Sequence, residues 1–228
     1  MKKISIIIPV YNEFKTLDTI LQKISETNFC NLEKEIIIVD DCSTDGTKEL
    51  YSKYPEYKIL FHEKNLGKGA GIRTGLGAVT GDIVIIQDAD LEYNPADYVP
   101  LVQTIIEGAD VCYGSRIKNF KNLKYFLPLS LLGNIIVTTF TNLIYGSKLT
   151  DMETCYKTFK TDIIKNIEIK SDKFDFEPEI TAKILKQKIK IKEIPITYNG
   201  RNFSQGKKIT WKDGIQALIT LVKYRFID

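Results

Sequence analysis

Three acids at the end of an apolar run are the residues whose type and spacing first suggest chemistry. Residues 82–95 read Asp-Ile-Val-Ile-Ile-Gln-Asp-Ala-Asp-Leu-Glu-Tyr-Asn-Pro. Ile83 to Ile86 are continuously apolar, the pattern of a strand covered on both faces. Asp88 and Asp90 follow two apart. On extended backbone, residues i and i+2 project to the same side, so both carboxylates could meet one hard cation, with Glu92 as a third ligand. Such a cation is the usual partner of a diphosphate. The alternative is an Asp-rich turn capping the next element, and the choice between them rests on the elements around it.

Those elements repeat a unit of apolar strand, polar loop and helix. Residues 4–10 form a buried-type strand that runs through Pro9 into Tyr11-Asn12-Glu13, and Leu17, Ile20, Leu21 and Ile24 give the next helix its apolar stripe. A second strand, residues 35–39, stops at Asp40-Asp41, and residues 43–47 supply turn and capping chemistry. A third strand at 58–62 leads into Asn65-Leu66-Gly67-Lys68-Gly69 and a Gly- and Ala-rich helix able to approach a sheet closely. Strands alternating with helices imply an α/β fold with a mainly parallel sheet, in which ligands bind beyond the carboxyl ends of the strands. The loops at 9–13, 40–47 and 87–95 all fall on that edge. A helix at 95–108 and a strand at 110–113 then bring Gly114-Ser115-Arg116 to the same place.

The 228 residues, 43% of them hydrophobic, suit one large domain with a full core. A net charge of +3 demands no nucleic-acid partner. Cys30, Cys42, Cys112 and Cys155 are too scattered for a structural zinc site and read as reduced thiols of a cytosolic chain. The apolar start is short, contains Pro9 and lacks a cleavage site, so it reads as the first strand rather than as a signal peptide.

In the second half, residues 125–147 contain no charge, a length that invites comparison with a membrane span. Ser130, Asn134, Thr138 and Asn142 recur every four residues as one polar stripe, which suits an interfacial helix or a packed site wall better than a span. Residues 150–157 form a dense polar loop containing Asp151. Residues 188–196 alternate as a strand with one solvated face, and a helix of about 180–186 precedes it. Thr210-Trp211-Lys212-Asp213 opens a final helix as a capping box, with Ile215, Leu218, Ile219, Val222 and Phe226 on one face, open to core packing or to an anionic lipid surface. No phosphate loop, dinucleotide fingerprint or nucleophile elbow is present, and the single histidine, His62, reads as a structural residue.

Pro9-Val10-Tyr11-Asn12-Glu13, Val39-Asp40-Asp41-x-Ser43-x-Asp45-Gly46-Thr47, Asn65-x-Gly67-x-Gly69, Gln87-Asp88-Ala89-Asp90-Leu91-Glu92 and Gly114-Ser115-Arg116 stand in the order of the family 2 inverting glycosyltransferases. The chain resembles the dolichol-phosphate mannose synthase branch of that family, with its polyprenyl-phosphate sugar synthases. The likeness runs nearly the whole length, to Thr150-Asp151 and Gly206-Lys207-Lys208-Ile209.

The resemblance implies a single GT-A domain over residues 1–228, Rossmann-like, with a nucleotide-sugar-binding half at 1–118 and an acceptor-binding half at 119–228 carrying interfacial helices. It implies Mg²⁺ or Mn²⁺ on Asp88 and Asp90, with the contact of Glu92 open because some relatives carry an amide there. Pro9, Tyr11, Glu13 and Asp40 should line the nucleoside pocket, and Arg116, Arg201 and Lys207 should meet phosphates, for which guanidinium geometry is suited. Asp151 becomes the candidate carboxylate that acts in catalysis or orients the acceptor. The reaction implied is transfer of mannose or glucose from GDP-mannose or UDP-glucose to a polyprenyl phosphate, with inversion, at the cytosolic face of a membrane. Many members continue into transmembrane helices, so either interfacial helices suffice here or a membrane partner supplies an anchor. A transferase acting on a soluble or polysaccharide acceptor, and a non-catalytic nucleotide-sugar-binding module, are the other readings.

Overall fold

Isoleucine and valine crowd the strands at the centre of the molecule because those strands are covered on both faces. The computed structural model describes residues 1–29, 31–201 and 210–227. Strands β1 (Lys3–Val10), β2 (Glu33–Asp40), β3 (Lys58–Phe61) and β4 (Ile83–Ile86) pair in parallel, with Ile6 opposite both Ile36 and Ile85. Further along lie β5 (Val111–Ser115), β6 (Lys157–Lys160) and β7 (Ile191–Pro195). The sheet order is β3-β2-β1-β4-β6-β5-β7, and β6 runs antiparallel to both its neighbours. The mainly parallel sheet is therefore present, but β6 and the short helix after it were not expected from the sequence. Lys157 and Thr158 are polar, and both are buried in the sheet. Inserting β6 between β4 and β5 also interleaves strands from the two halves of the chain.

Helices α1 (Leu17–Glu26) and α2 (Lys68–Ala78) cover the parallel part, and α3 (Tyr98–Ile106) packs on β5 and β6. Leu17, Ile20, Leu21 and Ile24 are fully buried, as their spacing required. In α2 the glycines have a steric cause: a Cβ on Gly75 would lie 2.6 Å from the Ile7 side chain, and one on Gly71 3.2 Å from Pro9. This helix rests against the sheet at backbone distance.

The second half adds α4 (Pro128–Tyr145), α5 (Thr161–Lys165), α6 (Phe176–Lys186) and α7 (Trp211–Phe226). A separate small core of Val137, Leu149, Met152, Ala182, Ala217, Leu221 and Tyr224 ties α4, α6 and α7 together. In α4 the usual arrangement is inverted, and α7 carries apolar residues on its outer side as well as its inner one. Asn134, Thr138 and Thr141 of α4 point inward and are buried, whereas Leu129 (84% exposed), Leu132, Ile135, Ile136 and Leu143 face out. In α7 the buried residues are Ala217, Thr220, Leu221 and Tyr224, while Trp211, Ile215, Ile219, Val222 and Phe226 are exposed. Of the apolar face expected on α7, Leu218 packs against the small core and the other four residues are exposed. Its capping box is formed, Thr210 and Asp213 bonding reciprocally.

Candidate active site

The carboxyl ends of β1, β2 and β4 gather the acidic loops on one edge, and each loop turns there through a residue in the left-handed region: Asn12, Cys42 and Leu91 have φ of 55°, 65° and 62°. Non-glycine residues rarely adopt this conformation, and it is concentrated where side chains must be aimed away from regular structure. After β4 the backbone leaves the extended form, so Asp88, Asp90 and Glu92 take separate directions.

Asp88 accepts the Lys68 ammonium at 2.8 Å, and Lys68 also pairs with Glu177 at 2.7 Å. Burial works to raise the Asp88 carboxyl, but Lys68 offsets it and holds the group below its usual range. Asp90 accepts from Arg201 at 2.8 Å, and the same guanidinium lies 3.6 Å from Glu13 and 3.7 Å from Glu92. Burial, then Asp88, then Glu92 push the Asp90 carboxyl up to about 7 despite Arg201. Glu92 turns to the Tyr198 hydroxyl (3.0 Å) and the Arg201 backbone N–H (2.8 Å). Among the described residues no three His, Cys, Asp or Glu are grouped to hold a metal ion. Asp90 and Glu92 both border the Arg201 guanidinium, while Asp88 is engaged by Lys68.

Asp88 and Asp90 still suit a divalent cation. They are hard oxygen donors, and two part-buried acids, one of them raised by desolvation and then by its neighbour's charge, are the setting that a cation relieves. Arg201 is the positive charge that stands against Asp90 in this structure.

On the nucleoside side, Asp40 is fully buried and accepts from the Ser43 N–H at 2.8 Å and the Tyr51 hydroxyl at 2.6 Å. A carboxylate has about four acceptor positions, so these two bonds leave about two of them open. Asp41 accepts from the Leu66 and Gly67 N–H groups and from His62, whose other ring nitrogen meets Thr74, the structural setting expected of that histidine. Pro9 lies under α2 through Gly71, Tyr11 is partly exposed at the end of β1, and Glu13 is buried with Thr16 on its carboxylate.

Farther along the edge, Asp151 is completely buried and Arg116 nearly so. They form a two-pronged pair, Nε and Nη each 2.7 Å from a carboxylate oxygen, with the Arg116 N–H adding a third bond at 2.8 Å and Asn134 of α4 a fourth at 2.9 Å. Burial alone would raise Asp151; Arg116 outweighs it and holds the carboxyl low. The Arg116 guanidinium is also stacked 5.1 Å from the Tyr198 ring centre. Expected as a phosphate ligand, Arg116 is here the partner of Asp151. Lys207 lies outside the described residues.

Several functional-looking groups were not singled out from the sequence. Lys68 and Glu177 flank Asp88; the signal for Lys68 was its place between Gly67 and Gly69. Glu153 has a buried carboxyl oxygen without a hydrogen bond, and burial followed by Glu177 lifts it to about 7. Lys157 is fully buried, donates to the Met152 and Thr154 carbonyls, and is lowered to about 8 by burial. Nothing in a string of letters marks these as neighbours.

With this geometry in place, the model for "Glycosyl transferase family 2" matches residues 5–168, which include every carboxylate of the site except Glu177. The chain belongs to glycosyl transferase family 2. Among its family 2 relatives, the dolichol-phosphate mannosyltransferase of Pyrococcus furiosus is 31% identical over 90% of this chain, which spans 59% of that protein's length. The UDP-N-acetylglucosamine–dolichyl-phosphate N-acetylglucosaminyltransferase of Methanococcus voltae is 29% identical over 86% of the chain and 85% of its own length. Glucosyl-3-phosphoglycerate synthase of Mycobacterium tuberculosis, solved with Mn²⁺, UDP and phosphoglyceric acid, superposes with a TM-score of 0.76 over all of this chain and 80% of that one, at 17% identity. That likeness establishes the GT-A fold.

Proposed function

We propose that this family 2 domain transfers a hexosyl group, mannose or glucose, from GDP-mannose or UDP-glucose to a polyprenyl phosphate, with inversion, while seated on the cytosolic face of a membrane. The observation that carries the reading is the outward apolar face of α4, joined by that of α7: the helix that touches Asp151 with its polar stripe presents leucine and isoleucine to the outside. Between Asp110 and Asp151 the chain has no acid and five bases, Arg116, Lys118, Lys121, Lys124 and Lys148. Exposed apolar helices fringed by lysine fit an anionic lipid surface. By length and composition α4 could also cross a membrane, but its buried polar stripe engages the protein along its length, which favours lying at the interface.

In this reading the acceptor phosphate enters beside Asp151 and Arg116. It is an anion at neutral pH, so it needs orientation rather than a strong base. Its oxygen attacks the anomeric carbon as the bond to the nucleotide breaks, and the electron pair leaves with the nucleoside diphosphate. Asp88 and Asp90 would hold Mg²⁺ or Mn²⁺, which supplies neutralisation of charge on the departing diphosphate. Arg201 sits where it can swing from Asp90 to phosphate oxygens. Support for the lipid acceptor comes from relatives named as dolichyl- and undecaprenyl-phosphate sugar transferases. The test is nucleotide release from UDP- and GDP-sugars, with either metal, with and without polyprenyl phosphate in vesicles. Stimulation by the lipid is expected; release indifferent to it, together with failure to float with vesicles, would overturn the reading.

A further inference from the structure

The loop that carries Asp151 is gripped from two sides. From β7, Glu193 accepts the N–H groups of Thr150 and Asp151 and the Thr150 hydroxyl. From α4, Asn142 bonds both the N–H and the carbonyl of Leu149, Thr138 accepts from the Met152 N–H at 3.1 Å, and Asn134 donates to Asp151 at 2.9 Å. The Asn134 amide is itself oriented, since its oxygen accepts from Thr138 at 3.2 Å. Asn134, Thr138 and Asp151 are all buried. Asn134 is the one group outside the pair that donates to the Asp151 carboxylate among the described residues, and it stands on the helix whose far side is the exposed apolar face.

We propose that Asn134 is a positioning residue: through its amide, α4 sets the orientation of the Asp151–Arg116 pair for the acceptor, so that the seating of α4 and the geometry of the acceptor side are mechanically joined. Arg116 donates twice to one Asp151 oxygen, from Nε and its backbone N–H, and once to the other; Asn134 supplies the second donor on that other oxygen, from a different element. The consequence falls on the acceptor rather than on the donor, because among the described residues the Asn134 side chain bonds Asp151 and Thr138 and not the groups paired with Asp88 and Asp90. This inference rests on the function proposed above.

The test compares wild type with Asn134→Ala and with Asn134→Gln, which keeps an amide donor. The assays are transfer to polyprenyl phosphate in vesicles, lipid-independent nucleotide release, and flotation. For Asn134→Ala, kcat/KM for the acceptor should fall roughly tenfold to a hundredfold, the scale of a misplaced reacting group. Donor KM, lipid-independent release and flotation should stay unchanged, since Asn134 faces inward, and Asn134→Gln should recover part of the loss. Unchanged acceptor kinetics in an active preparation overturn this inference alone, as does a loss shared equally by donor and acceptor steps. A wild type indifferent to polyprenyl phosphate overturns the function and this inference with it. Should Asn134→Ala not fold, Thr138→Val removes the hydroxyl that orients the amide; a smaller shift in the same direction is expected, and none overturns the proposal.

Discussion

The Arg201 guanidinium lies 2.8 Å from the Asp90 carboxylate, so a cation of the protein's own faces the acid proposed above to hold a metal ion. Two positive charges compete for one carboxylate. Arg201→Ala should therefore tighten binding of Mn²⁺ alone, by about tenfold or ~1.4 kcal/mol, while lowering transfer because the guanidinium proposed to meet the phosphates is lost. Electron paramagnetic resonance of free and bound Mn²⁺ measures the first effect; weaker Mn²⁺ binding in the variant would contradict the competition.

Asp90 also makes cation binding depend on pH. Burial, with Asp88 and Glu92, raises its carboxyl to about 7, above the unfolded value of about 3.9. The protonated form is thus favoured by folding, a contribution present at low pH and lost as pH rises through about 7. A cation binds the ionised form. The increase in melting temperature on adding Mn²⁺ should accordingly be larger at pH 8 than at pH 6, and absent in Asp90→Asn at both.

For Asp151 the sign reverses. Its carboxyl is held low by Arg116 against burial, so its contribution to stability is present above the unfolded value of about 3.9 and lost as pH falls through the lower folded value. Asp151→Ala leaves a buried guanidinium unpaired and should cost about 3–5 kcal/mol. Urea unfolding checks the magnitude. The acid limb of stability should be shallower in Asp151→Asn than in wild type.

Ile136 and Ile219 are both about half exposed on the outer faces of α4 and α7. Replacing both with Glu should abolish flotation with anionic vesicles while changing stability by only about 0.5 kcal/mol per site, since neither side chain fills the core. Raising salt to about 0.5 M should weaken wild-type binding by screening the flanking lysines. Wild-type flotation by the double variant would place the lipid contact elsewhere.

Gly75→Ala sets two effects against each other. Alanine gains about 1 kcal/mol of helix propensity, but its methyl would lie 2.6 Å from Ile7 in the sheet, and overpacking costs about 1–3 kcal/mol. Net destabilisation is expected by thermal unfolding. Gly77→Ala has no atom within 4 Å of its Cβ and should stabilise.

Much of the framework was legible because it follows from local rules. Continuous runs of isoleucine and valine marked β1, β2 and β4, the 3.6 spacing of Leu17 to Ile24 marked the buried face of α1, and Thr210 with Asp213 marked a cap. The motif order marked the family and the edge at which the acids converge. β6 was hidden because its polar residues Lys157 and Thr158 are buried between β4 and β5, so the segment carries no apolar run to mark it as a central strand.

Composition and spacing by themselves determined that there is a parallel α/β core, that its acidic loops share one edge, and that α4 is amphipathic. Tertiary structure alone decided which face of α4 and α7 looks outward, since a periodic pattern is symmetric between core and surface until a neighbour covers one side. It also decided how the charges pair. Asp88 with Lys68, Asp90 with Arg201 and Asp151 with Arg116 are separated by 20, 111 and 35 positions, and only the crossing of strands and loops brings them within hydrogen-bond distance.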